Sequence, residues 1–315
     1  MSAYVPDGSA ALIGAAVLVA GVLALAFTVV VTRSRVRQRI TAAWVLVVLA
    51  PWAAHRLTLA QPPGFRMLVV IAVLLVAMKA VVTVEAERRE GTRLPPLRWL
   101  AFALLWPGMR PAPFARRGPR APGGGPLVKR GVVSLAMGAA LVALARWLWT
   151  TTGSTALATC ALLPGLSLVL HFGMFGVVAG LWRWAGIDVG PLFRAPLHAR
   201  SLGEFWSRRW NVAFSEMTSL AVYGPLAEKA GRRWALLAGF VFSGLLHELA
   251  VSLPVRAGYG GPMAFFALQG LLTLVERETR PLGRVGTLVA LVLPLPLLFH
   301  PPFLRGVVWP LLGLR

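Results

Sequence analysis

The chain has 315 residues, of which 57% are hydrophobic and only 14% charged, with a mean hydropathy of +0.71. That composition excludes a water-soluble globular domain and predicts one all-α, polytopic integral membrane domain over residues 1–315. The net charge of +21 would suggest nucleic acid in a soluble protein, but the arginines and lysines lie between apolar stretches, so they report topology and no nucleic-acid partner is expected.

In chain order, apolar stretches able to cross a hydrocarbon core of about 30 Å are Ser9 to Val31, Ile40 to Ala54, Arg66 to Val84 and Gly131 to Thr150, then Leu157 to Trp182, Arg233 to Leu253, Pro262 to Val275 and Val285 to His300. About eight transmembrane helices result. A last stretch, Phe303 to Leu314, is short and interrupted by proline, and no crossing is assigned to it. The first stretch is longer than a signal-peptide core and lacks a basic leader, so it reads as a mature helix. Between the third and fourth spans, Leu97 to Trp106 is bounded by Pro96 and Pro107 and is expected to lie at the interface or re-enter the membrane. The segment RPAPFARRGPRAPGGGP, Arg110 to Pro126, reads as a mobile basic linker facing membrane lipids.

Charge alternates with the spans. Arg33, Arg35, Arg37, Arg39, Arg88, Arg89, Arg93 and Arg98 fall on one side, with the basic stretches 110–130, 183–209, 229–233 and 277–284. The other side holds Arg56, Arg66, Arg146, Arg256, Arg305 and Arg315. The positive-inside rule makes the first side cytoplasmic and the N-terminus external. Abundant Arg, Ala, Leu, Gly and Pro with only three lysines fit a GC-rich bacterial genome, and hence a bacterial cytoplasmic (inner) membrane.

Two stretches carry candidate chemistry. In SLGEFWSRRWN, Ser201 to Asn211, Ser201 and Glu204 form a capping box. A helix starting there would bring Phe205, Trp206 and Trp210 to the apolar boundary and leave Arg208 and Arg209 for headgroups or an anionic ligand. In FVFSGLLHEL, Phe240 to Leu249, a histidine lies inside a span, where an ionisable side chain is costly. Gly239, Ser243 and His247 recur at steps of four, a small-residue face with room for another helix or an acyl chain. Counted from Arg233 at 1.5 Å per residue, His247 lies roughly 21 Å from the cytoplasmic end. Glu248 is about 100° around the helix and is expected to bond another helix.

Other chemistries lack support. HELAV places Val251 where a zinc-peptidase helix needs its second histidine, no lysine is followed by Ser or Thr as a phosphate-binding loop requires, and no G-x-S-x-G occurs. Cys160 is the only cysteine, which excludes an intrachain disulfide and a cysteine-based metal cluster. His171 lies in a span without recognisable neighbours, His55 and His300 at span ends, and His198 in a basic loop.

Together the two stretches resemble the wax synthase branch of the membrane-bound O-acyltransferase superfamily. Its first motif, approximately S-L-x-x-F-W-x-R-R-W-N, is matched by Ser201, Leu202, Phe205, Trp206, Arg208, Arg209, Trp210 and Asn211, with Ser207 at a common glycine position. Its second, S-G-x-x-H-E, is matched by Ser243, Gly244, His247 and Glu248. LFRAP, Leu192 to Pro196, and LLWPGM, Leu104 to Met109, add weaker likeness; the motif-bearing part covers about 97–253.

The resemblance implies a membrane enzyme with a buried tunnel in which His247 and Asn211 act on an acyl-CoA and a hydroxyl acceptor. Trp206, Arg208, Arg209, Trp210 and Ser243 are the candidate substrate contacts. A long acyl chain would pass to a fatty alcohol or other lipid hydroxyl, with acyl-CoA as co-substrate and no other cofactor or metal. O-acylation of a cell-surface sugar or glycolipid, or lipid transport with His247 as a proton relay or helix contact, are the alternatives. Oligomeric state is not readable.

Overall fold

A computed structural model describes residues 2–313; Leu314 and Arg315, which the sequence reading placed at the end of the last stretch, lie outside the described residues. The described chain is helical throughout, with no strand among the described residues. We label the main helices α1 (Ser9–Val31), α2 (Val36–Leu57), α3 (Pro63–Glu90), α4 (Pro96–Leu105), α5 (Gly124–Thr152), α6 (Thr155–Trp184), α7 (Val212–Thr218), α8 (Arg232–Val255), α9 (Gly261–Glu278), α10 (Gly283–Leu298) and α11 (Pro301–Leu312).

Six of these, α1, α2, α3, α5, α6 and α8, are long and apolar enough to cross a membrane. A seventh is obtained if α10 and α11, bent by 69° at His300, count as one broken span. The protein is an integral membrane protein. All eight expected stretches are helical, but α9 falls short of the apolarity of a span because Gln269, Thr273 and Glu276 recur along it and Arg277 and Glu278 close it. That polar stripe faces inward: Gln269 and Thr273 are fully buried. The α3 helix is the most enclosed, 72% of its apolar window being buried, against 17% for the peripheral hairpin of α5 and α6.

The two expected sides separate in space. At one end Arg66 donates to the carbonyls of Leu253 and Pro254 at the C-terminus of α8 and to His55 Nδ1, while the Tyr4 hydroxyl donates to Val307 O. His300, at the end of its span, is buried there: it accepts from Phe303 N through Nδ1, which leaves Nε2–H to donate to Ser252 Oγ. At the other end Arg39 pairs with Glu87 at 2.8 Å and bonds the carbonyls of Val29 and Val30, and Arg89 pairs with Glu228.

Between these ends α4 is a short helix, ending at Leu105 ahead of Pro107 and Gly108. At ten residues it is about 15 Å long, half a hydrocarbon core. Its C-terminal carbonyls would be orphaned in an apolar setting. The fully buried Lys79 of α3 meets them, donating to Phe102 O at 2.9 Å, Trp106 O at 2.8 Å and Gly108 O, with its Nζ 3.5 Å from the Phe102 ring centre. The linker that follows is pinned, contrary to its composition. Phe114 is buried against Phe102 and Trp182, and Gly118 N and Ala121 N donate to Gly186 O, just beyond α6, and to Arg183 O in its last turn.

Candidate active site

His247 occupies the end of a regular α-helical run in α8; a π-helical turn over Glu248–Ser252 follows it at once. Its Nδ1 lies 2.7 Å from Ser243 O, one turn back. A carbonyl only accepts, so Nδ1 carries the proton and the Nε2 lone pair is the free one. Phe266 of α9 lies 4.3 Å from the imidazole and Phe214 of α7 5.7 Å, giving it an apolar aromatic wall on two sides. The imidazole itself is half-buried.

The small-residue face expected before it divides into two parts. Gly244 is the packing contact: a Cβ there would approach Met263 Cα of α9 to 3.0 Å. Gly239 is the open position, where a Cβ would meet nothing within 4 Å. Ser243 is buried and donates its hydroxyl to Gly239 O. Glu248 bonds elsewhere, as expected from its angle, accepting from Gly260 N and Met263 N at the start of α9.

Half of the expected capping box forms: Ser201 Oγ accepts from Glu204 N at 2.9 Å, while the Glu204 carboxylate reaches one residue further back and accepts from Arg200 N at 2.8 Å. One turn later the helix widens into a π-helical turn over Phe205–Arg209 and stops. Asn211 then adopts the left-handed conformation, φ 43°, and caps α7 by accepting from Phe214 N through Oδ1 at 3.4 Å. Its Nδ2 donates to no described protein atom. A short two-bond pairing fixes the position, Arg194 N to Arg209 O and Val212 N to Leu192 O, both 2.8 Å. Asn211 and His247 are thus joined through Phe214: one caps its backbone, the other touches its ring.

The remaining candidates divide by surroundings. Trp206 donates to Gln269 Oε1 and packs against Phe240, Phe265 and Phe266, so it shares the Phe266 ring with His247. Trp210 stacks on Phe205 and meets Phe193 edge-on at 4.9 Å. Arg209 is engaged within the protein, pairing with Glu204 at 2.6 Å and bonding the carbonyls of Arg194 and Ala195. Arg208 is exposed and lines a polar groove of about 450 Å³ beside Glu204, Glu276 and Arg277.

Comparison with known proteins bears on this part of the chain. Residues 189–268, which contain Asn211, Trp206, Ser243 and His247, match the membrane bound O-acyl transferase family. This segment is therefore similar to the membrane bound O-acyl transferase family.

The curated relatives that the chain resembles are named for long-chain alcohols. The chain is 38% identical over 100 residues to a long-chain-alcohol O-fatty-acyltransferase of Simmondsia chinensis, covering 29% of this chain and 28% of that one. Probable long-chain-alcohol O-fatty-acyltransferase 2 of Arabidopsis thaliana is 32% identical over 142 residues, 39% of this chain and 41% of its own length. The chain thus spans less than half the length of each of these curated relatives.

Four residues of the candidate site escape sequence reasoning or are undervalued by it. Phe214 and Phe266 wall the imidazole, yet each reads as an ordinary apolar residue. Gln269, which holds Trp206 and donates to Ala290 O, had a signal in the polar stripe of α9. His171, read as isolated, has neighbours from far along the chain: it sits on a π-helical turn, stacks on Phe193 at 4.6 Å, meets Trp210 edge-on at 5.5 Å and bonds Ser167 Oγ through Nδ1.

Proposed function

We propose that this protein transfers a long acyl chain from an acyl-CoA to a fatty alcohol or other lipid hydroxyl, giving a wax-type ester and free coenzyme A. The observation that carries the reading is the fixed imidazole: Ser243 O holds the Nδ1 proton, and Nε2, bonded to none of the described residues, lies among aromatic rings beside the segment that Asn211 caps.

The chemistry follows from that arrangement. His247 Nε2 takes the alcohol proton as the oxygen attacks the thioester carbonyl; the tetrahedral intermediate collapses with cleavage of the C–S bond, and the imidazolium returns the proton to the departing thiolate. The free Asn211 Nδ2–H is suited to donate to the carbonyl oxygen as negative charge develops there. Trp206, Trp210 and Ser243 shape the apolar surroundings that keep water from the activated acyl group. Arg209, through its hold on Glu204, orders the turn that leads to Asn211. Neither step needs a metal, since the thiolate is a good leaving group.

The loops rich in arginine face the cytoplasm in this account and the N-terminus is external, in a bacterial cytoplasmic membrane. The Simmondsia chinensis and Arabidopsis thaliana relatives named for long-chain alcohols support the acceptor class. The test is to supply purified protein with labelled palmitoyl-CoA and a panel of long-chain alcohols, sterols and sugars. Ester on the long-chain alcohols is the expected product; acylation confined to a sugar would replace this reading with its glycan alternative.

A further inference from the structure

A second groove, larger than the one beside Arg208, lies away from it. This groove, of about 1050 Å³, is lined by α5, by α6 and by the loop Pro191 to Ala195. Its rim carries Lys129, Arg130 and Arg194, and no acidic residue lines it. Among the described residues neither Lys129 nor Arg130 has an ion-pair partner. The groove beside Arg208 differs in charge, because Glu204 and Glu276 line it too. A polyanion entering there would face two carboxylates, whereas at the α5–α6 rim it meets cations alone.

The inner end of the larger groove is apolar and leads to the motif. His171, Phe172 and Phe193 form part of its lining. Phe193 packs on Trp210, the residue before Asn211, and the flanking backbone is bonded directly to Arg209 and Val212. From the start of α5 to Ser134, ten residues in, the groove has about 15 Å of depth along the helix. The turn that presents His171 is π-helical, an irregularity frequent at functional sites.

We propose that this groove receives the acyl-CoA donor: the phosphates of coenzyme A sit at Lys129, Arg130 and Arg194, and the thioester-bearing arm runs past Phe193 toward Trp210 and Asn211. The assignment rests on the acyl-transfer reading above. A phospholipid that merely solvates the helices needs only a basic rim and an outward face. A wall bonded on both sides of Asn211 is placed to deliver a reacting chain end.

The experiment uses full-length protein in nanodiscs with palmitoyl-CoA and hexadecanol. The double variant Lys129→Glu/Arg130→Glu and the single variant Arg194→Glu are each expected to raise the donor KM about ten-fold or more, the equivalent of one lost charge-assisted contact, with kcat and the alcohol KM little changed. Lys229→Glu, a charge reversal on the same basic face away from the groove, leaves the donor KM unchanged. Ser134→Trp, which fills the groove without touching the rim charges, weakens the donor as well. Unchanged donor KM in both rim variants overturns the proposal.

Binding of S-hexadecyl-CoA, an unreactive thioether, separates this inference from the catalytic one. Wild-type protein that makes no ester but binds the thioether, with rim variants binding about ten-fold more weakly, removes the function and keeps the groove. Equal thioether affinity across all variants removes the groove. Labelling at the groove by a photoactivatable phosphatidylglycerol that the thioether fails to displace also overturns the proposal.

Discussion

The Nδ1–H of His247 donates to the carbonyl oxygen of Ser243, 2.7 Å away and one helical turn earlier. This is a backbone acceptor, fixed by α8 itself and independent of the serine side chain, whose hydroxyl bonds Gly239 O. The tautomer is therefore set by helix geometry, and the reactive nitrogen points away from the helix's own hydrogen bonds. A backbone carbonyl or a carboxylate can do this; here it is the carbonyl, and the adjacent Glu248 caps α9 instead.

Gly239 gives the first prediction. Its missing side chain leaves open space two turns before His247 on the same face. Gly239→Phe is expected to fold, since no neighbour lies within 4 Å, and to depress turnover of long-chain donors or acceptors more than short ones, by roughly ten-fold or more. Rates against a series of chain lengths check this; a uniform effect on every length would place the open space outside the substrate path.

Asn211 combines a cap, a left-handed backbone and a free amide donor, and substitutions separate them. Asn211→Asp keeps an oxygen for Phe214 N and tolerates the positive φ, so the unfolding temperature should hold while kcat falls roughly 10²-fold for want of the N–H. Asn211→Ala loses the cap as well and should cost about 1–2 kcal/mol of stability besides. Equal activity of the Asp variant and wild type would confine Asn211 to capping.

Lys79 tests how the short helix α4 is held. Lys79→Met removes the donor from three buried carbonyls at once, with an expected loss of roughly 3 kcal/mol or more. Thermal unfolding in detergent measures the loss, and limited proteolysis should open the chain between Trp106 and Gly124 first. Protection of that stretch in the variant would show that Phe114 and the bonds to Arg183 and Gly186 suffice.

Glu204 sets a pH dependence. The Arg200 backbone N–H, and then the Arg209 side chain, hold its carboxyl below the usual glutamate value. A depressed folded-state pKa adds stability that is complete above the unfolded pKa, near 4.3, and is lost as pH falls through the lower folded value. Wild type should exceed Glu204→Gln in melting temperature by a constant margin above about pH 5, and the margin should shrink as the pH drops below roughly 4. Burial moves Glu216 on α7 the opposite way, upward, so its contribution is lost as pH rises through its folded pKa. A gap between wild type and Glu204→Gln that does not vary with pH would contradict the role of the Glu204 charge.

What could be read from the sequence was local. Apolar runs marked every long helix, Ser201 and Glu204 marked a helix start, and motif spacing singled out Asn211 and His247. What could not be read was set by residues distant in the chain. The aromatic wall of His247 comes from positions 214 and 266, and the partners of His171 from positions 193 and 210. The segment from Arg110 to Pro126 has a linker's composition, yet it is ordered by Phe114 and by hydrogen bonds to the end of α6 that no local pattern encodes. The π-helical turns after His247 and around His171 likewise depend on packing, since their sequences are ordinary apolar helix.

The central claim is that His247 is the base for acyl transfer, and single-turnover ester formation tests it most directly. Purified wild-type protein with labelled palmitoyl-CoA and hexadecanol should release coenzyme A and form ester in equal amounts. His247→Gln, folded to the same melting temperature, should be slower by about 10²–10⁴-fold. Turnover in that variant within a few-fold of wild type would contradict the account and leave His247 a helix contact.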